Sequence, residues 1–280
     1  MTLDRKAFLA TIKEQPDGDG PRLVYADWLE EQGNPRAEFI RVQCALARYR
    51  PLDEVPSHLT ERDLWLVNRY GNDWRKEDLG PADKFLDSVN PVFHRGFIAG
   101  VEVDLEVIAH RGVPNALLVE PLLRHIAHPR VLVRNVDRMH ALHTFLEVEW
   151  MQRVHTLILD NNPVGVLGVR SLASSPLPSL RALHLNVARI TDAAVRELMR
   201  SPLFSNLSSL ELSGNMLTKA CVANLRRSAR SKGISIYTNG QGGDFAAWRY
   251  GETFLVRRRE CGRMKRGRRG RPGKTRDVWQ

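Results

Sequence analysis

Two groupings in this chain have the residue types and spacing that chemistry needs. Tyr25-Ala26-Asp27-Trp28 sets a carboxylate between two aromatic rings, surroundings that can raise a carboxyl pKa and suit it to proton transfer. His125/His128 and His140/His143 are each spaced i, i+3, which on one helix face could bring two imidazoles to a metal. Each has a plainer alternative. Helical spacing makes Tyr25, Trp28 and Leu29 one packing face, with Asp27 left to pair with an arginine such as Arg22 or Arg36. A metal site also needs a third ligand and supporting hydrogen bonds, and Pro129 directly follows His128 at a helix end. No HExxH, CxxC, P-loop, GxGxxG or GxSxG pattern occurs in the 280 residues. The expectation is a chain that is not an enzyme and uses no metal or cofactor.

Charge points elsewhere. The formal net charge is +10, yet residues 245–280 alone hold 12 lysines and arginines against three acids, and the other 244 residues hold 30 against 29. The body is nearly neutral and the C-terminus is a polycation, so any argument from charge about partners concerns the tail. Arg269-Gly270-Arg271-Pro272 resembles the core of an AT-hook, with Arg268 where that pattern has proline. Arginines of this kind lie along a narrow minor groove, and any polycation binds phosphate backbones through counterion release. Arg266, Arg268, Arg269, Arg271 and Lys274 are the candidate DNA or RNA contacts.

The elements that would present a binding surface are written in leucine. Residues 154–164 (VHTLILDNNPV), 180–190 (LRALHLNVARI) and 207–217 (LSSLELSGNML) repeat one pattern at steps of 26 and 27 residues, within the range of leucine-rich repeats. Alternate side chains of a strand point to opposite faces, so both leucines of Leu157/Leu159, Leu183/Leu185 and Leu210/Leu212 enter a core. Weaker copies hold Val101/Val103, Val131/Val133 and Ile234/Ile236, giving six short parallel strands. Asn162 and Asn215 sit where each coil turns, with amides able to satisfy backbone groups of a neighbouring coil. Ala188 breaks that series. The returns read as helices: Thr191 is a candidate N-cap, Val195, Leu198 and Met199 share a face, and Pro202 stops the helix. Val169 and Leu172, then Val222 and Leu225, repeat the face.

Between the paired core positions lie the outward residues. Glu102, Asp104, Leu132, Arg134, Ile158, Asp160, His184, Asn186, Glu211 and Ser213 are the candidate partner-binding set, with Ser235 as the last outward position. Repeat stacking makes such a face concave and continuous. Apolar Leu132 and Ile158 flanked by charge resemble the make-up of a protein-binding patch.

The first 90 residues have a different texture. Helices are expected over Leu3–Ile12, Pro21–Glu31, Arg36–Arg48 and Leu59–Trp74, separated by Pro16-Asp17-Gly18-Asp19-Gly20 and Gly33-Asn34-Pro35. Such a module would also cover the open end of a repeat stack. Residues 19–47, DGPRLVYADWLEEQGNPRAEFIRVQCALA, closely resemble the repeat-companion domain of planctomycete-type bacteria. Arg22, Leu23, Tyr25 to Glu31 and Gly33, then Arg36 to Arg41 and Gln43, match its motif. The resemblance extends over about residues 1–240 and implies a cytoplasmic repeat scaffold. It assigns no reaction or ligand.

The expected fold is therefore α/β, a leucine-rich-repeat solenoid preceded by an all-α module. Residues 1–90 are read as the module, 91–239 as the solenoid and 240–280 as a flexible basic tail. The expected function is partner-protein binding through the concave strand face, with nucleic-acid association through the tail as the alternative. No run of apolar residues is long enough to span a membrane. The separated cysteines Cys44, Cys221 and Cys261 fit a reducing, cytoplasmic setting. Oligomeric state and partner identity have no signal in the sequence.

Overall fold

The computed structural model describes residues 3–49, 53–79, 90–106, 126–136 and 139–241. The chain divides into two compact units, Met1–Asp244 and Phe245–Gln280, and all described residues belong to the first. His125, residues 107–125 and the tail arginines Arg266, Arg268, Arg269 and Arg271 with Lys274 lie outside the described residues. The fold is mixed α/β around a seven-stranded, mostly parallel sheet.

Four helices come first: α1 (Leu3–Glu14), α2 (Gly20–Glu30), α3 (Arg36–Leu46) and α4 (Ser57–Leu79). They fall where the sequence pattern places them, with α4 running five residues past Trp74. Tyr25, Ala26 and Leu29 of α2 join Ala37, Ile40 and Cys44 of α3 in one small core. Phe39, Val42, Leu66 and Trp74 form another, with the rings of Phe39 and Trp74 stacked at 4.4 Å.

The sheet follows: β1 (Asn90–His94), β2 (Phe97–Asp104), β3 (Arg130–Arg134), β4 (Thr156–Ile158), β5 (Ala182–His184), β6 (Ser209–Glu211) and β7 (Ser235–Tyr237), neighbouring in sequence order. The first is an addition to the six strands expected. β1 pairs antiparallel with β2 through a two-residue turn, Arg95-Gly96, both at positive φ (51° and 85°), the geometry that matches hairpin twist. Gly96 is required there for a second reason, because a Cβ would collide with Ile40 of α3. Its N–H donates to Gln43 Oε1 at 3.1 Å and its carbonyl accepts from Arg36 Nη2 at 3.0 Å. The hairpin is thus bolted to the helical module.

From β2 onward every pairing is parallel. The register runs Val101, Val131, Leu157, Leu183, Leu210, Ile236, so the first member of each core pair is in line. It corrects the last strand by two residues: Ile236 and Thr238, not Ile234 and Ile236, occupy the leucine-pair places. Tyr237, not Ser235, therefore stands beside Glu211.

Between strands run α5 (Met139–Leu146), a 3-10 turn (Glu149–Arg153), α6 (Gly165–Ser174), α7 (Asp192–Arg200), α8 (Pro202–Asn206) and α9 (Lys219–Ser231). They cover one face. Leu157, Leu183 and Leu210 share a single buried cluster with Val169, Leu172, Val195, Leu198 and Leu225. Burying each such side chain contributes about 1.5–3 kcal/mol. Thr191 holds the N-cap place of α7 without a capping bond from its side chain. The N-cap that does bond is Thr218 of α9, whose hydroxyl accepts from Cys221 N–H at 3.2 Å. Asp192 instead reaches across a repeat and accepts from Thr218 N–H at 2.9 Å and Oγ1–H at 2.7 Å. No helix among the described residues is long and apolar enough to cross a membrane.

Candidate functional site

The face opposite the helices, here the outer face, carries the residues between core positions. Its central row runs Glu102, Leu132, Ile158, His184, Glu211 and Tyr237 across six strands. Leu132 and Ile158 sit side by side, half-buried, and belong to none of the three hydrophobic clusters. Their flanks are fixed by charge. Arg134 Nε lies 2.5 Å from Glu102 Oε1, with Nη2 donating to Oε2 at 3.0 Å, a two-point pair. Asn135 donates to Asp104 Oδ2 at 2.7 Å. On the other side Glu211 Oε2 accepts from Asn186 Nδ2 at 2.9 Å and stands 3.7 Å from His184 Nδ1.

Three of the residues expected to meet a partner also hold backbone across the sheet. Asp160 Oδ1 accepts Asn186 N–H at 2.7 Å, Asn186 Oδ1 accepts Ser213 N–H at 2.8 Å, and Ser213 Oγ accepts Asn239 N–H at 3.2 Å. Each side chain holds the same backbone position one repeat later. Asn186 and Ser213 are buried, with their side-chain oxygens bonded to Ser213 N–H and Asn239 N–H. Periodicity puts them on the right face, but the ladder is visible only when the coils are set side by side. Burial pushes the Asp160 carboxyl up to about 6, with His184 pulling the other way.

The turn asparagines do what their positions suggest. Asn215 Oδ1 accepts from the N–H groups of Ala188 and Ile190 at 2.9 and 3.0 Å, and its Nδ2 donates to Leu185 O and Leu212 O at 2.7 and 2.8 Å. Asn162 likewise accepts from Val136 N–H at 3.1 Å and donates to Val133 O at 2.9 Å. Ala188, a buried methyl, has no polar group to continue the series.

The other candidates separate. Asp27 is 68 % exposed and pairs at 2.7 Å with Arg41, which also holds Glu30; neither Arg22 nor Arg36 is its partner. Arg22 ties down the α1–α2 turn by donating to Gln15 O, Pro16 O and Gly18 O. Arg36 is buried and doubly bonded to Asp78 at 2.6 and 2.7 Å. His140 is exposed, while His143 lies 3.4 Å from Glu147, the residue after α5. His128 stacks on His155 with ring centres 4.1 Å apart and reaches Asp17 at 3.1 Å. Among the described residues no three His, Cys, Asp or Glu side chains cluster as metal ligands do. Burial pushes the Cys44 and Cys221 thiols up to about 11, which keeps both protonated at neutral pH and blunts them as nucleophiles.

One strand carries no signal in the sequence: β1, whose last residue, His94, pairs with Phe97. In β2, Gly100 pairs with Arg130 of β3. A Cβ on Gly100 would collide with the Arg130 carbonyl. Compared with protein-family models and with curated proteins, the chain matches none.

Proposed function

We propose that this chain is a non-enzymatic interaction scaffold, a leucine-rich-repeat stack with a companion module at its N-terminal end, that binds a partner protein through the outer, concave face. The observation that carries this reading is the Leu132–Ile158 pair. Two adjacent apolar side chains stand outside every core cluster, and the ion pairs on either side fix their surroundings. A half-buried apolar centre within a charged frame is the arrangement of an interface hot spot and its rim. Glu102, Asp104, Arg134, His184 and Glu211 supply the frame, and Asp160, Asn186 and Ser213 keep it rigid.

The test is affinity capture from native lysate with nuclease, comparing the wild type with Ile158→Glu and His184→Glu. Loss of the captured protein with an unchanged melting temperature is expected. A partner retained by both variants would place the binding surface elsewhere. A second reading rests on the segregated charge of residues 245–280: nucleic-acid association through the basic tail, with the repeats as adaptor.

A further inference from the structure

The two flanks of the Leu132–Ile158 pair differ. On the Glu102 side the charge is closed: the Arg134 guanidinium is committed to both Glu102 oxygens, and Asn135 bonds Asp104. On the Glu211 side it is open. Asn186 joins two carboxylates there, its backbone N–H donating to Asp160 Oδ1 at 2.7 Å and its Nδ2 to Glu211 Oε2 at 2.9 Å. His184 Nδ1 stands 3.7 Å from the same Glu211 oxygen. Among the described residues neither carboxylate has a lysine or arginine within ion-pair distance. The Glu211 side chain keeps 13 % of its surface exposed, so a cation from outside can reach it.

A carboxylate taken largely out of water and bonded by neutral donors is under-compensated, and a cation brought to it offsets part of that desolvation. The face has little positive charge of its own to bring. Its outward positions hold Glu102, Asp104, Asp160 and Glu211 against Arg130 and Arg134, and Arg134 is already bonded to Glu102. A nucleic acid or an acidic peptide would therefore meet like charge. A metal ion finds no cluster of three His, Cys, Asp or Glu ligands among the described residues. The open carboxylates also adjoin the apolar pair, because Ile158 is in register with His184 and His184 with Glu211.

We propose that the partner of this face is a basic polypeptide segment, in which an apolar side chain covers Leu132 and Ile158 and a nearby lysine or arginine meets Glu211 and Asp160. Glu211 lies two strands beyond Ile158, about 10 Å at ordinary strand spacing. About three extended residues span that distance. The charge sets direction as well as affinity, since the Glu102 side offers a pair that is already closed. This partner chemistry rests on the reading of the outer face as a binding surface.

The experiment pans a displayed library of random dodecapeptides on the immobilised full chain and measures the enriched peptides by titration calorimetry. Enriched sequences should carry Lys or Arg within about three positions of an aliphatic or aromatic residue. Their affinity should fall about tenfold or more in Glu211→Gln and in Asp160→Asn, with a shallower salt dependence. Both amides keep an acceptor for Asn186, so neither variant should melt lower than the wild type. Ile158→Ser, which removes the anchor without adding charge, should also weaken binding, and the exposed control Arg170→Gln should not. Peptides that need Ile158 but ignore Glu211→Gln and Asp160→Asn overturn the basic partner and leave the face reading standing. Failure to enrich basic peptides overturns it too. Affinity that ignores Ile158→Ser removes the face reading itself, whatever the carboxylates do.

Discussion

A carboxylate on a sheet surface ordinarily ionises well below neutrality, yet burial holds Asp160 at about 6. Its Oδ1 is committed to Asn186 N–H, and an amide oxygen can accept that bond equally well. The sign of the linkage follows from the shift. The folded pKa lies above the usual 3.8, so the folded chain holds the extra proton between those values. The associated stability is complete below about pH 4 and is lost as pH rises through about 6. Asp160→Asn should therefore melt higher than the wild type at pH 7, by an amount equivalent to about 1–2 kcal/mol. The gap should close towards pH 4. Parallel melting curves across that range would show that Asp160 is not destabilised by its place in the ladder. Asp27 illustrates the opposite outcome at the same scale. Its aromatic neighbours are real, with Tyr25 and Trp28 stacked at 5.7 Å, but they pack inward while the carboxylate faces water.

Between repeats, stability resides in a few side chains that bond backbone. Asn215 serves Ala188 N–H, Ile190 N–H, Leu185 O and Leu212 O from a fully buried position. Asn215→Ala strands those groups, at a cost of about 3 kcal/mol or more. Thr218→Ala removes one exposed cap and should cost about 1 kcal/mol. Urea unfolding of both variants measures the difference, and equal midpoints would contradict the structural role given to Asn215. At this scale the sequence was legible where periodicity is strict. The paired leucines, the apolar helix faces and the turn asparagines could all be placed from spacing. The β1–β2 hairpin could not, because its turn is Arg95-Gly96 rather than Asn-Gly or Asp-Gly. The last strand slipped because Thr238 stands where a second leucine is the pattern.

For the whole molecule, spacing specified which residues share a face but not how they use it. The outer face was readable from alternation, whereas the bonds that bury Asn186 and Ser213 depend on neighbours 25 to 27 residues away. Charge works at this scale too. With a nearly neutral body and a tail of 12 basic residues against three acids, the nucleic-acid reading predicts binding that falls steeply with salt and vanishes when the chain is cut after Gly243. Electrophoretic mobility shifts at several salt concentrations test this. Affinity indifferent to salt, or kept by the shortened chain, would exclude the tail as the contact.

The ladder that joins Asp160, Asn186, Ser213 and Asn239 has a direction. In every link the acceptor belongs to the earlier repeat and the donor N–H to the later one. A ribosome releases the acceptor first. Along this ladder the side chain that accepts is therefore always made before the backbone N–H that it holds.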